Sequence, residues 1–246
     1  MNTIKASEVE SIYYGDTPIV EVYQGTEKIY PVEHDKVGLE HYLCKSNNSG
    51  NGYVESFEGW MDLATGLIAT IGTAEWKDGK LQFRDRNCIV RFPNKFALVD
   101  YTIFTTFEVN SFDNATHSRL FGERPTHSGF INTNERTKLL ALFTPNKDTP
   151  FRNPSVGIEE KIICQVVYRY DATTKRMDLF VDGQFRSHDV GSNQETITQE
   201  RWIGNRGSDL SRWLNGDFYE HLIYSRCLTD EAIATEFTVT KILENI

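Results

Sequence analysis

Two groups of carboxylates in this sequence are spaced closely enough to be considered for acid–base chemistry. Hydrolysis of a glycosidic bond needs two carboxylates on one strand or on facing strands, one as the acid and one as the nucleophile or base. The candidates are Glu55, Glu58 and Asp62 early in the chain, and Asp217 with Glu220 near its end. An offset of three residues places Asp217 and Glu220 on opposite faces of a strand. The spacing therefore argues against hydrolysis, and we predict no catalytic residue.

Motifs for other kinds of catalysis and for metal binding are absent from the sequence. It contains no Gly-x-Ser-x-Gly, no cysteine in a recognisable catalytic context, and no HxH or HExxH spacing among its six histidines. Calcium is a different case, because its oxygen ligands come from scattered side chains and carbonyls that leave no short motif here. We therefore predict no enzyme activity and no cofactor, and we leave calcium open with its ligands unassigned.

Binding of a carbohydrate is the chemistry that one loop could supply. Sugar recognition uses aromatic faces for stacking and planar polar groups for the hydroxyls. Arg206, Asp209, Arg212 and Trp213 cluster in the loop of residues 204–216 and offer both. The alternative is that Trp213 fills the core and that the arginines are solvated rim residues. The remaining tryptophans are expected in the core: Trp60, Trp76 and Trp202.

Size and charge restrict the class of protein and of partner. A chain of 246 residues can form one large all-β domain with a small appendage. Its 39% hydrophobic content is typical of a packed globule, and no run approaches the roughly 18 apolar residues of a membrane helix. The net charge of −9 argues against a nucleic-acid partner, which needs a basic surface to neutralise phosphates. We expect a soluble protein that binds no nucleic acid and inserts into no membrane.

The first residues and the cysteines both indicate synthesis and folding in a cytoplasm. The opening residues, MNTIKASE, lack the charged start and apolar core of a secretory signal. The cysteines are widely scattered and form no CxxC pair, so we expect buried free thiols rather than disulfides or metal ligands. These residues are Cys44, Cys88, Cys164 and Cys227.

Alternating residues predict three consecutive antiparallel strands within residues 163–190. Apolar side chains occupy every second position of two runs, which is the period of a half-buried strand. Residues 171–175 turn the chain between them, and Asp182-Gly183 suits a type I′ turn because both positions need positive φ. Residues 101–109 are aromatic or β-branched almost throughout, which predicts a strand in the middle of a sheet. Residues 144–156 contain three prolines and are expected to form a long loop.

A short helix is predicted at the C-terminal end of the chain. Thr229 can cap a helix that begins at Asp230, with Asp230 and Glu231 placed where the helix dipole favours negative charge. Ile233 and Phe237 are four residues apart and are expected to face the strands.

Several segments, in this order, resemble laminin-G-like, concanavalin-A-like lectin domains. YDATTKRMDLFVDG (residues 170–183) is similar to their central hairpin, and WIGNR (residues 202–206) is similar to the next strand. Other matching segments are residues 60–66, 76–83, 214–216 and 219–233, the last of which looks like the family's closing strand and terminal helix. The resemblance spans residues 37–237. It implies an all-β, concanavalin-A-like jelly-roll sandwich of two antiparallel sheets with a short C-terminal helix.

The resemblance also bears on catalysis and on calcium. The fold carries glycoside hydrolases, but their usual Glu-x-Asp-x-x-Glu or Glu-x-Asp-x-Glu strand does not occur in this sequence. Laminin-G-like relatives sometimes bind calcium, and the aspartate often seen in their closing strand is replaced here by Tyr219. That replacement weakens the transfer of the family's calcium ligands.

Residues 7–32 contain a repeat with an offset of ten residues. IYYGDTPI (residues 12–19) returns as VYQGTEKI (residues 22–29), and two small β-hairpins with glycine in the turns fit this pattern. The repeat looks like N-terminal segments of bacteriophage virion proteins, which implies an attachment module; the alternative is that the hairpins pack on their own sandwich. The polar run PVEHDK (residues 31–36) is the predicted boundary between this module, residues 1–36, and the sandwich, residues 37–246.

Together these patterns predict a non-catalytic phage virion protein, of the tail, fibre or head decoration. In this interpretation it is made in the bacterial cytoplasm, binds other virion proteins through residues 1–32, forms a homo-oligomer and recognises a host-surface glycan. One alternative is a purely structural decoration or neck protein. Another, disfavoured by the missing carboxylate strand, is a glycan depolymerase.

Overall fold

The computed structural model describes most of the chain. The described residues are 33–93, 99–111, 117–123, 127–132, 139–143, 158–190, 201–204 and 213–246, together with four short strands before residue 31. Those four strands form two separate two-stranded antiparallel sheets, in which β1 (Tyr13–Tyr14) pairs with β2 (Thr17–Pro18) and β3 (Val22–Gln24) pairs with β4 (Glu27–Tyr30). The predicted pair of N-terminal hairpins is therefore confirmed.

Two larger antiparallel sheets form the sandwich. Sheet I has seven strands in the order β14-β13-β12-β18-β10-β7-β6. Its strands are β6 (Gly59–Met61), β7 (Ile68–Gly72), β10 (Cys88–Arg91), β12 (His117–Glu123), β13 (His127–Asn132), β14 (Leu139–Phe143) and β18 (Arg201–Ile203). Sheet II has eight strands, seven of them in the order β17-β16-β15-β11-β19-β9-β8, with β5 also paired to β19. Its strands are β5 (Leu39–Cys44), β8 (Glu75–Lys77), β9 (Lys80–Phe83), β11 (Tyr101–Ser111), β15 (Ile163–Asp171), β16 (Arg176–Val181), β17 (Gln184–Val190) and β19 (Asn215–Tyr224). The predicted all-β jelly-roll sandwich is confirmed.

Strand β11 crosses the middle of sheet II, as its composition predicts. It pairs with β15 on one side and β19 on the other, and most of its residues are buried. Its side chains alternate between two apolar layers, because sheet II is covered on both faces. Phe107 belongs to the main core between the sheets, with Trp60 and Trp76, whereas Phe104 belongs to a second layer with Ile233 of the C-terminal helix. The face of sheet II that meets this helix is called the outer face below.

Two hairpin turns have the backbone that their sequences predict. Asp182 and Gly183 have φ of 51° and 70°, and Asp78 and Gly79 have φ of 52° and 70°. Positive φ at both central residues is the signature of the type I′ turn, whose twist matches that of the flanking strands. The turns fix the register of β16 with β17 and of β8 with β9.

The single helix among the described residues, α1 (Asp230–Glu244), begins as predicted but is more polar on its buried side. The Thr229 hydroxyl accepts a hydrogen bond from the Ala232 amide at 3.1 Å, and Asn245 ends the helix in the left-handed conformation. Ile233 is buried as expected, while Phe237 is only half-buried. Two glutamates, Glu236 and Glu244, lie buried against sheet II.

The free cysteines and the three core tryptophans fall where the sequence predicts, except that Cys227 is less buried than expected. All four cysteines are free; Cys44, Cys88 and Cys164 are buried, and Cys227 is half-buried. Trp60, Trp76 and Trp202 are core residues, whereas Trp213 is half-buried. Within the described part of the chain, no helix has the length and apolar character needed to cross a membrane. The predicted loop of residues 144–156 lies outside the described residues.

Candidate functional site

A β-bulge in β19 determines which polar side chains reach the outer face of sheet II. Thr106 pairs with Glu220, but the next residue, Phe107, pairs with Phe218, so Tyr219 is an extra residue in β19. Because Thr106 and Glu108 share one face of β11, their partners Glu220 and Asp217 also share it. The prediction that Asp217 and Glu220 lie on opposite faces is therefore wrong, since it assumed an unbroken two-residue period.

Beyond the end of α1, the outer face carries a cluster of polar side chains centred on Asp217. Its carboxylate is fully buried and contacts Lys80 Nζ at 2.5 Å through Oδ2 and Arg84 Nη2 at 2.5 Å through Oδ1. The Asn110 side-chain amide donates to Oδ1 at 3.2 Å. Arg84 also donates from Nη1 to the carbonyl of Gly216 at 2.9 Å, which fixes the plane of its guanidinium. We name Lys80, Arg84, Glu108, Asn110, Asp217 and Tyr219 the Asp217 cluster.

A second carboxylate of the cluster, that of Glu108, stands directly across from Asp217 on the neighbouring strand. The two residues are Cα partners in the β11–β19 ladder. Glu108 Oε2 accepts a hydrogen bond from the Tyr219 hydroxyl at 2.8 Å and lies 3.7 Å from Lys80 Nζ. Lys45 Nζ sits 4.8 Å from the centroid of the Tyr219 ring. One ammonium thus contacts both carboxylates, and a second cation covers the tyrosine.

The two cations bound to Asp217, Lys80 and Arg84, are more exposed to solvent than the carboxylate that holds them. The Arg84 side chain is 44% exposed and that of Lys80 is 23% exposed, while that of Asp217 is 0% exposed. Burial lowers the pKa of Lys80, but the hydrogen bond and the charge of Asp217 outweigh it and hold that pKa above its usual value. Burial and the hydrogen bond to Glu108 raise the pKa of Tyr219, which keeps its hydroxyl protonated as a donor. The cluster therefore presents two fixed, charged donors to solvent.

The predicted carbohydrate site is described only at its C-terminal end. Arg206, Asp209 and Arg212 lie outside the described residues. Trp213 is half-buried and is followed by Leu214, a core residue. The chain then enters β19, where Gly216 and Asp217 contact Arg84. The predicted loop and the Asp217 cluster are therefore adjacent along the chain.

The other set of carboxylates considered in the sequence, Glu55, Glu58 and Asp62, does not form a site. Glu55 and Glu58 are exposed, whereas Asp62 is buried. Asp62 binds His41 Nδ1 and accepts hydrogen bonds from the Tyr42 amide at 2.9 Å and the Thr65 hydroxyl at 2.7 Å. Burial raises the pKa of Asp62, but these hydrogen bonds, that of His41 foremost, bring it below its ordinary value. Asp62 thus joins β5 to the turn after β6.

In the described part of the chain, no group of three or more histidine, cysteine, aspartate or glutamate side chains is arranged to hold a metal ion. Calcium also takes backbone carbonyl and amide oxygens as ligands, so its binding stays a prediction.

Comparison with solved structures finds this sandwich in proteins that act on or bind sugars. A sialidase from Trypanosoma rangeli superposes with a TM-score of 0.66 at 16% identity, over 93% of this chain and 36% of the sialidase. Domain 4 of AbnA, a GH43 extracellular arabinanase from Geobacillus stearothermophilus in complex with arabinotriose, superposes with a TM-score of 0.63 at 13% identity, over 83% of this chain and 100% of that domain. No protein-family model and no curated protein matches. At these identities the likeness shows a concanavalin-A-like, lectin-type β-sandwich fold.

These neighbours overturn one prediction. A non-catalytic protein was expected because the usual carboxylate strand is missing, yet the first structural neighbours are sialidases, which are enzymes. The chain spans about a third of the length of those sialidases. A glycosidase-associated fold is therefore indicated, and the missing motif is not a sound reason for denying activity.

Sequence reasoning missed Lys80, Arg84 and Glu108 as site residues. Only partial signals existed: Lys80 follows the Asp78-Gly79 turn, and Lys80, Gln82 and Arg84 alternate with apolar residues, which predicts one shared face. The partner that brings them together, Asp217, lies far away in sequence and was assigned to the wrong face relative to Glu220.

Proposed function

We propose that this chain is a carbohydrate-binding β-sandwich domain whose site combines the Asp217 cluster with the adjoining loop of residues 204–216. The observation that carries the proposal is that Lys80 and Arg84, both open to solvent, are held in place by the buried carboxylate of Asp217. Charged donors fixed before binding lose little entropy when they hydrogen-bond to sugar hydroxyls or carboxylates. Trp213 is half-buried and lies three residues before Gly216 in sequence. In this proposal it supplies the aromatic face on which a sugar ring stacks. Domain 4 of AbnA, solved with arabinotriose, lends fold-level support because the match covers that whole domain.

The first test compares Lys80→Met with Lys77→Met on a glycan array of neutral and acidic sugars. Lys77 is the cross-strand partner of Lys80 in the same hairpin and is exposed, so it is a matched control. Loss of one charged hydrogen bond, about 1.5–3 kcal/mol, should weaken binding roughly tenfold or more in Lys80→Met and leave Lys77→Met unchanged. Equal binding by the two variants removes the Asp217 cluster from the site, and an array without any ligand sinks the proposed function.

Trp213→Ala provides a second, independent variant of the same site. Loss of aromatic stacking is expected to reduce glycan affinity, while the half-buried position predicts a smaller fall in melting temperature than Trp60→Ala would cause in the core. A fall in stability comparable to that of Trp60→Ala, with unchanged glycan binding, would assign Trp213 to the core instead.

Hydrolysis of the bound glycan is the second candidate function. It is favoured by Glu108 and Asp217, which stand opposite each other on adjacent strands as paired carboxylates do in glycosidases. Assaying each array ligand for new reducing ends separates the candidates, since a binding domain leaves its ligand intact. Cleavage that disappears in Glu108→Gln would establish this carboxylate as the acid or the nucleophile.

We further propose that the domain belongs to a bacteriophage virion, is made in the host cytoplasm and is displayed for host-surface glycan recognition. The support is the resemblance of the N-terminal repeat, whose strands β1 to β4 form two small hairpins. In this proposal residues 1–32 bind other virion proteins and the chain is a homo-oligomer. A structural decoration or neck protein remains the alternative. Immunogold labelling of purified particles with an antibody to the sandwich tests the placement, and label confined to the soluble fraction would contradict it.

Two fragments test the proposed domain boundary. The segment before the sandwich is not a bare connector, because His34 is buried against Glu236 and Glu220. A fragment of residues 33–246 should unfold with the same free energy as the full chain. A fragment of residues 37–246 should lose about 3 kcal/mol or more, because two buried glutamates lose their counter-ion. Loss of cooperative unfolding in the longer fragment would show that the hairpins complete the core.

A further inference from the structure

A buried cluster of ionisable side chains joins three parts of the chain beneath α1. His34 Nε2 contacts Glu220 Oε1 of β19 at 2.8 Å, and His34 Nδ1 contacts Glu236 Oε2 of α1. Glu220 Oε2 also accepts a hydrogen bond from the Thr240 hydroxyl at 2.5 Å. All four side chains are buried. One imidazole thus lies between two carboxylates from different elements.

The cluster fastens the segment of residues 33–38, which we call the strap, to the sandwich. The amide of Asp35 donates to Glu236 Oε1 at 2.9 Å. Arg226 pairs with the Asp35 carboxylate and donates from Nε to the Val37 carbonyl at 2.7 Å. The strap is therefore bound at one end through a residue of α1 and at the other through the loop after β19.

A third buried glutamate, Glu244, closes the other end of α1. It accepts hydrogen bonds from the Ser46 hydroxyl at 2.8 Å and the Ser46 amide at 3.2 Å. These contacts tie the last turn of α1 to the residues that follow β5. Both ends of the attachment between α1 and sheet II consequently depend on groups that titrate.

We propose that His34 and Glu244 form a pH-sensitive latch, which holds the strap and α1 against sheet II at acidic and neutral pH and loosens both as the pH rises. Opening of the latch would add residues 33–38 to the segment that connects the N-terminal strands with the sandwich. This attachment of α1 and the strap is independent of the proposed carbohydrate binding.

The charges around each group set the direction of the effect. Burial lowers the pKa of His34, but the hydrogen bonds and charges of Glu220 and Glu236 outweigh it and raise that pKa from 6.5 to about 9. Its stabilising charge is fully present below pH 6.5 and is lost as the pH rises through 9. Burial, and then the charge of Glu220, raises the pKa of Glu244 from 4.5 to about 7. The stability that depends on its neutral form is therefore lost as the pH rises from 4.5 to 7, where a buried negative charge appears. Both titrations weaken the attachment as the pH increases.

The other ionisable groups packed around the latch come from β5, β19 and the neighbouring loops. Burial raises the pKa values of Tyr42, Cys44 and Tyr224, which keeps these groups neutral over the range considered. The remaining charges near the latch are Asp35, Lys45 and Arg226.

Amide hydrogen exchange of the full-length protein at pH 4.5 to 9.5 tests the proposal. After correction for intrinsic exchange rates, protection of the strap and of α1 should be lower than that of β11 at every pH and should fall by about tenfold per pH unit between 6.5 and 9. Equal protection of α1 and β11 would show that α1 opens only by global unfolding, and protection of the strap and α1 that does not change with pH would show that His34 does not hold them; either result would overturn the latch.

Two variants separate the contributions of the titrating groups. His34→Gln keeps hydrogen-bonding capacity but carries no charge in this range, so its strap should be less protected at pH 6 and show a flatter profile. Glu244→Gln removes the ionisation at the far end of α1, so the loss of protection there between pH 4.5 and 7 should disappear and the variant should be more protected than the parent above pH 7. If His34→Gln proves too unstable to study, Glu244→Gln alone still decides, because an unchanged profile at the end of α1 contradicts the proposal.

Discussion

Replacing Gly204 with alanine is expected to destabilise the sandwich by about 3–5 kcal/mol, a large part of the stability of an ordinary domain. Gly204 has a φ of +92°, a conformation that side chains rarely adopt. A Cβ built there would lie 1.8 Å from Phe83 Cε2, and Phe83 is fully buried in the main core. The ring cannot move aside without opening the core, so strain and overpacking add. Chemical denaturation of the variant measures the loss.

Gly79→Ala is the matched control for Gly204→Ala. Gly79 also has positive φ, at 70°, but a Cβ there would meet no atom within 4 Å. Only the backbone penalty of about 1–2 kcal/mol is expected. If Gly204→Ala does not fold, the double variant with Phe83→Leu should recover part of the stability, since the shorter side chain leaves room. Similar losses in Gly204→Ala and Gly79→Ala would contradict the close packing.

Glu236→Ala is expected to cost about 3–5 kcal/mol of unfolding free energy at pH 6. The change removes one of the two carboxylates that hold the charged His34 and leaves the Asp35 amide without its acceptor. A buried charge that loses a partner is far more costly than a surface ion pair, because its desolvation is no longer offset. Thermal or chemical denaturation at fixed pH gives the measurement.

The control for this substitution lies on the same helix. Glu231 is exposed in the first turn of α1, and Glu231→Ala removes only its interaction with the helix dipole, about 0.3–1 kcal/mol. The two variants therefore share helix propensity and differ in burial. A loss below 1 kcal/mol in Glu236→Ala would show that the His34 cluster contributes little to stability.

The fold could be predicted because its signals are local. Alternation defines β15 to β17, the Asp182-Gly183 pair defines their second turn, and Thr229 marks the start of α1. Each of these depends on residues within about ten positions of one another. The resemblance to lectin-like domains then supplied the assembly of the strands into a jelly-roll sandwich of two antiparallel sheets, which local patterns do not contain.

The candidate site could not be predicted because it depends on one irregular residue. An unbroken two-residue period along β19 would place Asp217 and Glu220 on opposite faces of the sheet. The extra residue, Tyr219, brings both to the outer face. The local sequence has no glycine at the bulge and contains no other signal that predicts the change of register. The neighbours of Asp217 then come from β9 and β11, far away in the chain.

The strap illustrates a second reason why part of the structure could not be predicted from the sequence. Most of the strap belongs to the polar run PVEHDK (residues 31–36), whose composition is typical of a solvated connector. His34 nevertheless contacts Glu236, which is 202 residues away in sequence, and lies buried at the centre of an ionic cluster. Local composition predicts which residues prefer water, but not which of them find a buried partner.

A structure of the protein with its strongest array ligand would locate the carbohydrate site. We expect a sugar on the outer face of sheet II, with its hydroxyls or carboxylate within hydrogen-bonding distance of Lys80 Nζ or the Arg84 guanidinium and one ring against Trp213. A sugar bound elsewhere, on sheet I or along the edge strand β17, with Lys80 and Arg84 untouched, would contradict it.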